Sequence, residues 1–316
     1  MHLTFRPIRR DEIPKASQLV DAAYAPQIRN LYGNTRLGRW KHYEETRIAS
    51  YVEREPNGVR VGLFHDEIIT FNVCRSFGRL GWFHTLAVHP RFQGQGLGRQ
   101  AVADAESYLA SQGVSSIALM TWPTAIANLA FYLRLAYRLK GISVYAYREA
   151  NTSLITGRSP FYASIYGEAS ADNPARINDA ARVLMNRIMP GLDYLPWLAW
   201  ALGKDFADTL LLWHGQQLYA MILAYFLPGT SWAEGKLMLI HPDLSLPDHL
   251  WILEHIRFWV HSRGRDAFGL PVDLSSDFAR QVLLPYGFRF YPESMVNLVK
   301  GDDLPDPAFH FVRFGG

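Results

Sequence analysis

Between residues 86 and 102 the chain reads LAVHPRFQGQGLGRQAV. An apolar run (Leu86, Ala87, Val88) stops at Pro90, three glycines follow on alternate positions (Gly94, Gly96, Gly98), and helical spacing takes over from Arg99. The order is strand, glycine turn, helix start. Glycine reaches φ > 0 at no steric cost and lets the backbone close on a ligand. The first turn of a helix presents unpaired N–H groups at the positive end of its dipole. Together these properties favour an anion, so the stretch predicts a phosphate-bearing ligand, a pyrophosphate above all.

Two common phosphate loops do not fit. A P-loop needs Lys-Ser/Thr behind its last glycine, where this chain has Arg99-Gln100. A dinucleotide turn needs G-x-G-x-x-G, and here the third glycine comes one residue early with no ribose-binding acid downstream in a βαβ repeat. What remains resembles the acyl-CoA loop of the GNAT superfamily of N-acyltransferases, Gln/Arg-x-x-Gly-x-Gly/Ala after a strand ending in Val-x-Pro. Gln93, Gly96 and Gly98 fall at that spacing behind Val88-His89-Pro90. The resemblance covers about residues 3–148 through its motifs and 160–300 only through topology and an internal repeat. It implies an α/β fold of mixed sheet, in which a central, mostly antiparallel twisted sheet is flanked by helices. It also implies acyl transfer from acyl-CoA, in most members acetyl-CoA, to a primary amine.

The pattern along the first half fits that fold. An alternating run at Leu3 and Phe5 leads to a helical face (Ile13, Ala16, Leu19, Val20, Ala23), then an Arg- and aromatic-rich segment at 26–56 with a helix near 40–54. Two runs around His65-Asp66-Glu67 predict a hairpin. GWFHTLAV is the next strand; a helix over about 97–111, a strand at 116–122, a helix at 125–136 and a last strand follow. The second half repeats the plan: LFHDEIITFNV (63–73) aligns with LWHGQQLYAMI (212–222) at an offset of 149, AVHP with LIHP at 152, and LAYRL with YGFRF at 151. With 316 residues, 49% of them hydrophobic, two domains are expected: a catalytic one at 1–150 and, past a polar linker near 149–160, a degenerate one at 151–316. The second copy keeps His241-Pro242 but continues DLSLPDHLW, with no glycine and with Asp243 and Asp248 where a phosphate would be repelled. One acyl-CoA site is expected for the whole chain.

Charge separates the halves too. Residues 1–150 hold 19 Lys/Arg against 12 Asp/Glu, the remainder 13 against 17, so the half with the glycine loop is the one that steers a polyphosphate. The apolar stretches 195–203 and 218–229 fall short of the ~20 residues that span a bilayer, and the N-terminus has no signal-peptide core; a soluble, cytoplasmic protein is expected, without membrane partners. No helix carries the basic stripe of a nucleic-acid binder. The 11 histidines show no metal-ligand spacing, and the lone Cys74 reads as a buried structural thiol. The stretch 189–203 is a candidate lid or interdomain contact. A monomer or homodimer is expected.

The resemblance implies roles for particular residues. The amine attacks the thioester directly, so the chain needs a base, an oxyanion and pantetheine edge, and an acid, but no nucleophile. Backbone groups of Leu86, Ala87 and Val88 are the expected edge. The N–H groups from Gln93 through Gly94, Gln95, Gly96, Leu97 and Gly98 to Arg99 are the expected pyrophosphate cradle. Some family members carry two histidines on this strand, two positions apart, as a water-mediated proton relay; His84 matches the second and Trp82 replaces the first. His89 reads as structural. Tyr132 stands four residues before Ala136-Tyr137, where the family places an acidic tyrosine before a Gly-Phe-like pair. The family's helix asparagine is displaced here to Asn128, a candidate pantetheine contact. The acceptor implied is a small-molecule amine. A Lys or N-terminal amine of a peptide and a non-catalytic acyl-CoA sensor are the alternatives.

Overall fold

The computed structural model describes residues 1–32, 45–153, 155–302, 304–307 and 310–312. In chain order the first half runs β1 (Thr4–Pro7), α1 (Ile13–Tyr32), α2 (Glu45–Arg54), β2 (Val59–Phe64), β3 (Glu67–Phe77), β4 (Leu80–Val88), α3 (Leu97–Ser111), β5 (Ser116–Thr121), α4 (Ile126–Arg134) and β6 (Arg138–Glu149). That order is the one read from the sequence. The start of the helix expected near 40–54 lies partly outside the described residues. The second half runs β7 (Tyr162–Ile165), α5 (Tyr166–Asp172), α6 (Pro174–Ile188), α7 (Leu195–Ala201), β8 (Ala207–His214), β9 (Gln217–Tyr225), β10 (Trp232–Ile240), α8 (Leu246–Ser262), β11 (Ala267–Asp273), β12 (Arg289–Gly301) and β13 (His310–Val312). Among the described residues no helix is long and apolar enough to cross a membrane.

Packing divides the chain into a unit of residues 1–119 with 300–302 and a unit of 120–299 with the C-terminal strand. In the first, β1 to β4 pair antiparallel in sequence order, and β4 then pairs parallel with β5. Alternation of side chains across the sheet builds two cores. Ile13, Ala16, Leu19 and Val20 of α1 and Ile48, Tyr51 and Val52 of α2 pack on Val61, Phe71, Val73 and Ala87, whereas Leu97 of α3 packs on Leu3 and Ile69. The β2–β3 hairpin turns on His65 and Asp66, both at positive φ (47° and 64°), as a two-residue turn that matches strand twist requires.

In the second unit, β7 to β10 form an antiparallel run, and β11 pairs parallel with β10. The strand β6 pairs antiparallel with both β11 and β12, so packing assigns it to this unit although the repeat assigns it to the first half. Bulges at Gly62/Leu63 and Leu212/Trp213 fall 150 residues apart, with partners Thr70 and Ala220 likewise. The structure therefore sets Gly215 of the second hairpin turn against His65, one residue away from the 149 offset that pairs it with His214. The loop at 150–161 is tied to α8, through Arg257 Nη1 to the Ala150 carbonyl (2.9 Å) and Ser159 Oγ to His255 Nε2 (2.8 Å). The stretch expected as a lid is a core helix: α7 buries Leu195, Trp197, Leu198 and Ala201, and the Trp197 indole donates to Tyr225 Oη at 3.2 Å.

Candidate functional site

Strand β4 has one complete edge and one that is paired only at its start. Against β3 it pairs from Leu80 to Val88, with an irregularity that sets Thr85 and Leu86 against Asn72 alone. Thr85 sits there at φ 58°, a left-handed conformation unusual for a β-branched residue. A bulge of this kind re-aims backbone groups and ends regular pairing. Against β5 the pairing covers Leu80–Ser116, Gly81–Ile117 and Trp82–Ala118 and stops. Past Trp82, carbonyls of β4 instead meet side chains: Tyr24 Oη donates to Leu86 at 3.2 Å and Gln93 Nε2 to Val88 at 3.1 Å. Leu86, Ala87 and Val88 thus lie along an edge that no strand covers among the described residues.

Behind Val88 the chain makes a single 3₁₀ turn at Pro90–Phe92, capped by His89, whose Nδ1 accepts the Arg91 N–H at 3.3 Å; His89 is structural here. Gly94 and Gly96 then take φ of 76° and 78°, and Gly96 is the N-cap of α3 with no side-chain cap. The N–H groups of Gly94, Gln95, Gly96, Leu97 and Gly98 donate to no backbone carbonyl among the described residues. A methyl group on Gly94 or Gly96 would meet nothing within 4 Å. Successive N–H groups without a backbone acceptor at a helix start, beside the open space at Gly94 and Gly96, suit an anion. The side chains of Gln93, Gln95 and Arg99 are exposed, and that of Leu97 is buried, so Leu97 offers a ligand its backbone only.

Three tethers fix α3. Arg60 pairs with Asp104 through Nε–Oδ2 (2.5 Å) and Nη2–Oδ1 (2.7 Å), Asn72 Nδ2 donates to the Ala101 carbonyl (3.1 Å), and Gln100 Oε1 accepts the Leu3 N–H (3.0 Å). Cys74 lies beside this network as a buried thiol whose pKa burial pushes up.

His84 stands opposite Val73, on the face covered by α1 and α2. Its ring meets Tyr51 edge-on at 5.0 Å, and its Nδ1 lies 2.8 Å from Thr85 Oγ1. Burial holds its pKa well below the usual histidine range, aided by Arg75, Arg54 and Arg47. The imidazole is therefore neutral at pH 7, ready to accept a proton but a weaker base than an unperturbed one near 6.5. The charges of these arginines, the Tyr51 ring against His84 and the Tyr24 hydroxyl on the Leu86 carbonyl are features the motif does not point to. Arg75 was nonetheless detectable as a lone charge inside the apolar strand FNVCRSF.

Tyr132 and Asn128 belong to the second unit. Tyr132 is buried in α4 against Phe131 and Tyr137, and burial raises its phenol pKa. Its carbonyl accepts the Tyr137 N–H at 3.1 Å, a turn that puts Ala136 at φ 65°; the glycine usual at this position avoids that strain. Asn128 is exposed on α4.

The equivalent place in the second unit is closed twice. The β10–β11 pairing also stops after three residues, at Glu234–Gly269, but β13 then covers the β10 edge through Leu237–Val312, Met238–Phe311 and Leu239–His310. The helix start is closed as well: Ser245 and Asp248 form a capping box on α8, with Ser245 N–H and Oγ donating to Asp248 Oδ2 at 3.0 and 2.5 Å.

An α/β unit whose fourth strand opens away from the fifth, followed by a glycine cradle at a helix start, defines a domain of the GNAT class. Residues 25–137, about a third of the chain, match the family described as Acetyltransferase (GNAT) family. No curated protein matches the chain. Over the whole length it shares its fold with a GCN5-related N-acetyltransferase from Sphaerobacter thermophilus (15% identity, 96% of this chain and 98% of that one, TM-score 0.63). A tandem GNAT protein from the clavulanic acid biosynthesis pathway is similar (11%, 96% and 100%, 0.57), as is a GCN5-related N-acetyltransferase from Anabaena variabilis (10%, 95% and 72%, 0.59).

Proposed function

We propose that this protein is an acetyl-CoA-dependent N-acetyltransferase acting on a small-molecule amine. Its one donor site lies in the first repeat (1–150), and 151–316 is a GNAT-like domain without a donor loop. The observation that carries this reading is the contrast between repeats: β4 keeps an uncovered edge before an open N–H cradle, while the same edge and helix start in the second repeat are filled by the chain itself. The N–H groups from Gly94 to Gly98 would hold the pyrophosphate, with Gln93 and Arg99 beside them, and the Leu86–Val88 edge would hold the pantetheine arm and carbonyl oxygen.

In the reaction the amine nitrogen bonds to the thioester carbonyl carbon and the C–S bond breaks. Of the two protons the ammonium gives up, one passes through His84 to solvent and the other ends on the leaving sulfur. Burial keeps the Tyr132 phenol protonated, the state that the acid role expected of it requires. Calorimetric titration with acetyl-CoA tests the donor site and is expected to give one site per chain; absence of binding refutes the reading. Thiol release with a panel of amines and peptides then tests the transfer. Binding without release from any acceptor favours a sensor, and release from peptides alone favours a protein acetyltransferase.

A further inference from the structure

A hollow of about 180 Å³ opens in the second unit, where strand β6 ends. Pairing between β6 and β12 starts at Arg289–Tyr147, so the last residues of β6 have no partner on that side. Successive residues of a strand point to opposite faces, and at this free edge both faces reach the hollow. Tyr147 and Glu149 line it from one, Arg148 from the other, with Gly287 and Arg289 across the gap. The Tyr147 ring is held edge-on by Tyr291 at 5.5 Å.

Three of these residues are charged, and they do not neutralise one another. Arg289 makes no hydrogen bond or ion pair among the described residues. Arg148, half-buried, uses Nη1 on the carbonyls of Thr152 (2.9 Å) and Glu149 (3.4 Å), while its Nε and Nη2 meet no acceptor among the described residues. A side chain at Gly287 would begin 3.9 Å from Arg148 Nε, and glycine leaves that space open. Glu149 Oε2 accepts from the neutral Asn151 amide at 3.4 Å. Behind them Arg257 and Glu254 already pair at 2.6 Å.

We infer that this hollow binds a small amino acid, its carboxylate on the guanidiniums of Arg148 and Arg289 and its ammonium on Glu149. Guanidinium and carboxylate match in geometry as well as charge. Glu149 repels a phosphate dianion and favours a ligand that carries a cation as well. Size agrees: at ~30 Å³ per water the hollow has room for about six waters, the bulk of an amino acid of about two to four carbons. None of these residues belongs to the donor loop, and the site does not depend on acetyl-CoA binding there.

The experiment titrates the full chain, without acetyl-CoA, in a calorimeter with glycine, L-alanine and L-serine, and with acetate and inorganic phosphate for comparison. At least one amino acid is expected to bind at one site per chain, about tenfold or more tighter than acetate or phosphate. Arg289→Gln removes a charge that has no partner to lose, so folding is kept, and is expected to weaken this binding by about tenfold or more, the loss of one charged hydrogen bond. Glu149→Gln is expected to bring the amino acid down to the affinity of acetate. No saturable binding of any of the three amino acids, phosphate or acetate bound as tightly, or an affinity unchanged in either variant overturns the inference.

Discussion

Gly96 and Ser245 stand at the start of equivalent helices in the two repeats and cap them in opposite ways. Gly96 caps α3 at φ 78° with no side-chain hydrogen bond, leaving the first N–H groups without a capping acceptor, whereas Ser245 closes α8 in a box with Asp248. From the shared His-Pro, the first loop takes six residues to reach its cap (90–95) and the second three (242–244). The extra residues include Gly94, and they make the cradle.

Gly96→Val is expected to abolish measurable acetyl-CoA binding while the protein stays folded. A β-branched residue at that φ costs on the order of 1–2 kcal/mol, and its Cβ meets no protein atom within 4 Å. The melting temperature is therefore expected to fall by only a few degrees. Unchanged affinity in calorimetry would exclude this loop as the donor site.

For His84→Ala the expected loss is about 10²-fold in kcat, with acetyl-CoA affinity nearly unchanged. The pH profile is the sharper check. A base works deprotonated, so activity falls as pH drops through its pKa, and burial with Arg75, Arg54 and Arg47 lowers that pKa. The acidic limb of kcat/KM for the free enzyme is expected below pH 6.5. A limb at or above 6.5 that persists in His84→Ala would assign it to another group.

The elements of the first half were legible because each is a local pattern: an alternating run, a helical face, a turn at His65-Asp66. The cradle was legible for the same reason, since φ > 0 at Gly94 and Gly96 is written in residue type. Tertiary facts were not. That Thr85 takes a left-handed bulge, or that Arg75 comes beside His84, depends on β3–β4 register and on where α2 lands. The stretch 189–203 misled because an apolar run looks the same whether it covers a site or lines a core. The closing of the second repeat by β13 could not be read at all: three residues pair with a strand some seventy positions earlier, and HFV carries no sign of it.

Glu12 gives a stability prediction with a definite sign. Arg6, with Arg9, holds its carboxyl down to about 2 from an ordinary 4.5, with Arg6 Nη2 at 2.6 Å and Arg9 Nη2 at 2.8 Å. Because the folded pKa is depressed, the stabilisation is complete above the unfolded value and is lost as pH falls from about 4.5 through 2; the shift corresponds to about 3 kcal/mol. Glu12→Gln is expected to lower stability by up to that amount at pH 7, and urea melts of the two proteins should converge as pH falls toward 2. A constant difference across pH would mean the side chain acts by packing instead.

Phe311 tests whether the second repeat is closed by its own tail. It is 2% exposed, packs on Phe278 with centroids 4.7 Å apart, and pairs across to Met238 on the β10 edge. His310 beside it is anchored on Tyr194 Oη at 2.6 Å, and burial pushes its pKa down to about 3. Phe311→Ala removes a buried aromatic from this plug and is expected to cost about 3–5 kcal/mol, roughly 10 °C in melting temperature for a unit of this size. Uncovering the β10 edge does not supply the missing cradle, since Asp248 still occupies the start of α8 and its carboxylate repels a phosphate. Calorimetry on Phe311→Ala is therefore expected to keep one acetyl-CoA per chain with unchanged affinity. A second site appearing in the variant would mean that the tail alone, rather than tail and capping box together, keeps the second repeat from binding the donor.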